Sequence, residues 1–151
     1  MAEKLEDIYI YNDKIFFING IGFLAYDNLN NINKNNFNLK IISSNLKNVT
    51  DFRYSKNKEY IKGFLIHDNK IFISYVREVK KDCFNTSILY SNLNIEKLTF
   101  KKFFYPDECV NSKHENLKLS VFNGFNPNQS GGTLTQFNEN ELLFTTGEYR
   151  M

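Results

Sequence analysis

Apolar residues along this chain come in short runs, and polar turn residues separate the runs. Asp7 to Tyr11 alternates β-favouring residues up to the turn pair Asn12-Asp13, and Lys14 to Ile18 follows. Asn19-Gly20, a strong hairpin signal, leads to a third run, Phe23 to Tyr26. Asn28 to Asn36 is too rich in Asn for anything but a loop, and Phe37 to Ser43 reads as a fourth strand.

The pattern then recurs. Gly63 to His67, the turn Asp68-Asn69 and Lys70 to Val76 form a second hairpin, and Thr86 to Tyr90 and Leu98 to Phe104 supply two further strands. A third hairpin joins Thr133 to Phe137 through Asn138-Glu139-Asn140 to Glu141 to Thr145. No helical period stands out, and Asn92 to Leu98 reads as a loop. A repeated hairpin inside a four-strand unit of roughly 40–50 residues is the pattern of a β-propeller blade. The sequence therefore predicts an all-β partial β-propeller in one domain, 1–151. Its blade-like units lie at about 5–48 and 49–110, with an incomplete one at 117–151. A β-sandwich of seven or more strands is the alternative.

Composition narrows the function more than the fold. The 151 residues are 42% hydrophobic and 16% aromatic, ample for one core. A net charge of +2 with 24% charged residues is too balanced to predict nucleic-acid binding. The pairs Lys80-Lys81 and Lys101-Lys102 read as solvated loop and edge-strand charges. About one residue in seven is Asn, which codon bias explains more simply than an Asn-rich working surface. No run reaches the ~18 apolar residues of a membrane span, and the first residues show no signal-peptide core. The two Cys and two His residues are not spaced as zinc ligands, so no metal site is expected from this chain's own residues.

The third hairpin and its flanks carry a resemblance. Gln129 to Leu134, and Leu143 through Gly147 and Glu148 to Arg150, resemble the glucose/sorbosone dehydrogenase family. That family's pattern there is His-Gln-Ser-Gly, often a second Gly, then Arg-Leu, a hairpin, and a strand ending Gly-Asp with an Arg shortly after. Gly63 to Val76 looks like its preceding hairpin, and Thr86 to Ser91 like the next strand. The resemblance covers residues 60–150. It implies a six-bladed propeller, of which this chain would be the N-terminal part, about two and a half blades. It also implies a quinoprotein that oxidises a sugar or alcohol with pyrroloquinoline quinone (PQQ) and calcium. The calcium ligands and most quinone contacts would come from later blades, so this chain alone is expected to bind neither cofactor. The family's usual location implies a periplasmic or extracellular protein.

Carried over residue by residue, Gln129 and Arg150 fall at positions beside the quinone, and Glu148 stands where the family has Asp. Asn128 occupies the position of the family's catalytic His. An amide cannot hold a proton in transit, so the general base is missing at that position. Gly131-Gly132 suits either a bulge at the rim or close approach to a cofactor. His67 reads as a strand-end residue beside a turn, and His114 as a loop residue. Cys83 precedes the third strand of the second unit and Cys109 follows the fourth, a placement that suits a disulfide across a hairpin. Two buried thiols are the alternative, and the implied exported location favours the bond. Two functions stay open: an inactive fragment of a PQQ-dependent dehydrogenase-like propeller, or a non-catalytic propeller that binds a glycan or a protein.

Overall fold

Three hairpins stacked face against face organise the computed structural model, which describes residues 5–34, 36–50, 61–113 and 130–147. The first sheet orders β1 (Leu5–Tyr11), β2 (Lys14–Asn19), β3 (Leu24–Asn28) and β4 (Lys40–Ile41) as an antiparallel meander. A short helix, α1 (Leu29–Asn33), follows β3. Next come β5 (Ser43–Ser44) and a one-turn α2 (Leu46–Val49). The second sheet runs β6 (Ile61–His67), β7 (Lys70–Lys80), β8 (Cys83–Asn92) and β10 (Lys101–Phe104) from one edge to the other. The two-residue β9 (Lys97–Leu98) pairs in parallel with β5, tying the two units together. The last hairpin is β12 (Gly131–Gln136) with β13 (Leu142–Thr146), after a two-residue β11 (Val110–Asn111). The fold is all-β, in several antiparallel sheets, none of which closes on itself.

Local chemistry sets the turns. Asn12, Asp13, Asp68 and Asn69 all have φ between 46° and 58°, the doubly left-handed backbone of a tight two-residue hairpin. Asn and Asp tolerate that backbone best among residues with a side chain. Asn19-Gly20 behaves differently from the expected two-residue turn. Asn19 is the last residue of β2, its Oδ1 accepts from the amides of Ile21 and Phe23, and the left-handed residue is Gly22 at φ 81°. The Asn-rich stretch after β3 is not all loop, since five of its residues wind into α1. The run from Leu98 to Phe104 divides into β9 and β10, because Phe100 turns away to meet the first unit while the Thr99 amide donates to Ser91 Oγ of β8. There Asn45 donates to and accepts from the Phe100 backbone at 3.2 and 2.7 Å.

The first two sheets each have two apolar faces, and the stacking follows one rule. In the second sheet, Phe64, Ile66, Ile71, Ile73, Tyr75 and Leu89 share one face. This face packs on Phe16, Ile18, Leu24 and Tyr26 of the first sheet. Its opposite face presents Leu65, Phe72 and Ile88, which pack on Leu134, Leu142 and Phe144 of the third hairpin. Aligned on their turns, Ile15 corresponds to Ile71 and Leu142, and Phe16 corresponds to Phe72 and Leu143. The leading face of each unit therefore covers the trailing face of the unit before it. Strands β1 and β12 both contact β6.

The Cys83–Cys109 disulfide is present, with Cα atoms 5.4 Å apart. It joins the start of β8 to the residue before β11, which pairs with β8 at Phe84 and Cys83. Asn85 holds the intervening loop by donating to the carbonyls of Pro106 and Glu108 at 2.6 and 2.9 Å. Arg77 donates to the same Pro106 carbonyl at 2.5 Å and lies 4.5 Å from the Tyr105 ring centroid. Burial raises the Tyr105 hydroxyl above its usual pKa, against the opposing pull of its hydrogen bond with Tyr75. No helix among the described residues is long and apolar enough to cross a membrane.

Candidate functional site

The residues that the resemblance singles out, Asn128, Gln129, Glu148 and Arg150, lie outside the described residues, as does His114. Their described neighbours meet at one end of the third hairpin, where the Gly147 amide donates to the Ser130 carbonyl at 2.6 Å. Gly131 and Gly132 follow, with φ of 70° and 109°, and the β12–β13 register slips between Gly131 and Leu134. This is a bulge, one of the two roles the sequence allowed the pair. The close approach is to protein: a Cβ on Gly132 would collide with the Lys62 side chain, and one on Gly63 with the Gly132 carbonyl oxygen. That carbonyl accepts from the buried Ser74 hydroxyl, and Thr86 Oγ1 donates to the Ser130 carbonyl at 3.2 Å. The Gly-Gly pair thus seats the third hairpin on β6 and β7.

At the opposite end of the hairpins, the turns line up. Tyr11, the last residue of β1, donates its hydroxyl to Asn69 Oδ1 at 3.1 Å and accepts from the Asn69 amide at 3.2 Å. His67, the last residue of β6, places Nε2 2.9 Å from the Glu139 carbonyl of the next turn. His67 therefore serves as a strand-end residue that joins two units.

Beside His67 opens a cleft of about 550 Å³ between the second sheet and the 138–141 turn. Its floor is aromatic. Phe72 and Tyr90 sit opposite each other on β7 and β8, with ring centroids 6.3 Å apart. Phe103 lies against both, at 5.2 and 5.9 Å. Phe103 is the extra residue of a bulge: Lys102 pairs with Leu89 and Phe104 with the adjacent Ile88. The bulge re-aims Phe103 onto the Phe72–Tyr90 pair. More than half of its surface remains exposed.

The rim is polar and carries both charges: Asp68, Lys70, Lys102, Glu139 and Asn140. Lys70 donates to Asp68 at 2.9 Å, and that hydrogen bond and charge hold the Asp68 carboxyl below its ordinary range. An aromatic floor with hydrogen-bonding groups around it suits a ligand with an apolar flat face and polar edges. Sequence reading missed this cleft. Its aromatic members are far apart in the chain, and the bulge that turns Phe103 inward leaves no mark in the hydrophobic pattern.

Among the described residues, no three His, Cys, Asp or Glu side chains are arranged to hold a metal ion. Compared with family models, curated proteins and solved structures, the chain matches none.

Proposed function

We propose that this chain is an arc of a β-propeller, of about two and a half blades, that works as a non-catalytic module binding a saccharide in the aromatic cleft. The observation that carries the reading is the Phe72–Tyr90–Phe103 floor framed by Asp68, Lys70, Lys102 and Asn140. A pyranose has an apolar C–H face for the rings and hydroxyls for the rim. The propeller assignment is supported by the uniform stacking of units and by the contacts of β1 and β12 with β6. The disulfide supports an oxidising compartment, in keeping with a periplasmic or extracellular protein.

The test is binding of the full chain to a panel of neutral and charged glycans, followed by titration of the best ligand. Phe103→Ala should weaken that ligand about tenfold or more and leave the melting temperature within a degree or two, because the ring is half exposed. A panel with no binder, or a Phe103→Ala variant that binds as tightly as the parent, sinks the reading.

The second reading keeps the dehydrogenase-like plan. It is supported by the Ser130–Gly147 hydrogen bond, which joins the two residues adjoining the segments that hold Gln129 and Arg150. On this reading Gln129 and Arg150 face PQQ, calcium is held by other blades, the substrate is a sugar or alcohol, and Asn128 leaves the site without its general base. Retention of PQQ by the protein in calcium, lost in Gln129→Ala and Arg150→Ala, would favour it.

A further inference from the structure

A second hollow adjoins the aromatic cleft and shares Tyr90 with it as a wall. Its volume is about 320 Å³, and Asn94, Lys97, Thr99 and Lys101 line it together with Tyr90. The strand register places the two hollows side by side. Tyr90 of β8 pairs with Phe72 of β7 on one side and with Lys101 of β10 on the other. Directly opposed residues share a sheet face, so Phe72, Tyr90 and Lys101 form one row across three strands. The Lys101-Lys102 pair of the edge strand is divided between the sites: Lys102 lines the cleft and Lys101 the hollow beside it.

The two hollows differ in charge. In the cleft the charges balance, since Asp68 pairs with Lys70 and the same rim holds Lys102 and Glu139. The second hollow carries Lys97 and Lys101 and, among the described residues, no carboxylate. Glu96 neighbours Lys97 in the chain but does not line the hollow. The other polar groups can donate. Asn94 Oδ1 already accepts from the Glu96 and Lys97 amides at 2.9 and 3.4 Å, which leaves the Asn94 side-chain amide as a donor. The Thr99 hydroxyl is a donor as well. A set of ammonium, amide and hydroxyl donors with no carboxylate among them matches an anionic oxygen better than a neutral hydroxyl.

We propose that the saccharide bound by this protein is acidic. One pyranose stacks on Phe72, Tyr90 and Phe103. The anionic group of the adjoining unit, a uronate carboxylate or a sulfate ester, lies between Lys97 and Lys101. The ligand spans both hollows and is therefore a disaccharide or longer. Neighbouring strands lie ~4.8 Å apart, so the step from Tyr90 to Lys101 is comparable to the length of one sugar ring. Two exposed lysines supply a modest attraction that salt screens, and the rings supply the rest. The inference rests on the saccharide reading of the cleft and names the class of saccharide.

The test is calorimetric titration of the full chain with matched short oligosaccharides: one neutral, one carrying a uronate and one carrying a sulfate ester. At low salt an acidic member should bind about fivefold tighter or more than the neutral one, and the gap should close by roughly 0.5 M salt. Lys97→Gln and Lys101→Gln together should bring the acidic ligand down to the affinity of the neutral one. Both side chains are exposed, so the melting temperature of that variant should match the parent's. Lys80→Gln with Lys81→Gln removes the same charge beyond the other end of β7 and should keep the preference. The uronate and sulfate arms distinguish the two anionic groups.

Equal affinity for neutral and acidic ligands, both weakened by Phe103→Ala, overturns the acidic class and leaves saccharide binding in the cleft standing. An equal loss of preference in the Lys80 and Lys81 variant overturns the site, because net charge would then account for it. Free glucuronate or inorganic sulfate that binds as tightly as the acidic oligosaccharide, with no effect of Phe103→Ala, overturns the span of two hollows. A panel with no binder removes the reading on which this inference rests, and the inference with it. A single-stranded oligonucleotide that binds more tightly than every glycan does the same, since aromatic rings beside lysines also suit stacked bases and phosphates.

Discussion

At the scale of residues, much of the fold rests on amides and carboxylates holding backbone. Asp27, buried in β3, accepts from the Asn38 and Asn28 amides at 2.6 and 2.7 Å and from Asn31 Nδ2 at 2.8 Å. The Asn38 bond is the largest reason its carboxyl sits below the ordinary aspartate range. A depressed folded-state pKa contributes stability above the unfolded value of ~3.9 and loses it as pH falls through the folded value. Asp27→Asn should therefore lower the melting temperature at pH 7 and flatten its decline with acid; parallel curves for the two proteins would rule this role out. Gly132 is the other sensitive residue. Its left-handed φ and the Lys62 side chain against it leave no room for a methyl group. Gly132→Ala should cost ~2–4 kcal/mol by denaturant titration, from backbone strain and forced separation of β12 from β6. A loss under 1 kcal/mol would show that the two strands part easily.

Elements are joined across units more than sequence order suggests. Asn45 and the β5–β9 pair lock the link after the first sheet onto the last strands of the second. The disulfide closes β8, β10 and the 105–109 loop into one cross-linked segment with a sequence separation of 26. In the chain-entropy account a loop of that size contributes ~3.5 kcal/mol by restricting the unfolded chain. Reduction should lower the denaturant midpoint by the corresponding amount without changing the strand signal in circular dichroism. An unchanged midpoint would mean that Asn85 and Arg77 hold the loop by themselves.

For the molecule as a whole, the stacking of three units and the chemistry of the site are separate matters, because function follows the site rather than the fold. If the dehydrogenase-like plan is functional, the missing base is measurable. Reconstituted with PQQ and calcium and assayed with a dye acceptor, the Asn128→His protein should exceed its parent by ~10²–10⁴ in turnover. Equal and substantial turnover in both would show that another group takes the proton. No turnover and no retained quinone in either would leave saccharide binding as the surviving function.

The sequence by itself determined the strands and most of the turns. Alternating apolar residues, Asn-Asp and Asp-Asn pairs and the repeated hairpin are local signals, and a local signal is readable where backbone sterics and side-chain period act over a few residues. It did not disclose that Gly22 rather than Gly20 would take the left-handed turn, because the Asn19 side chain captures the Ile21 and Phe23 amides and widens the turn, nor that α1 would wind within an Asn-rich stretch, where the Leu29 amide donates to the distant Asp13 carbonyl. For the cysteine pair it offered a suitable placement, and the folded chain decided the bond by bringing β11 alongside β8. Only the tertiary structure decided which face of each sheet is covered. Only there does Gly132 meet β6 instead of open space, and only there do Phe72, Tyr90 and Phe103 form one floor. These are contacts between residues distant in the chain. A one-residue bulge or a choice of stacking face redirects them, and neither alters the pattern of apolar and polar positions.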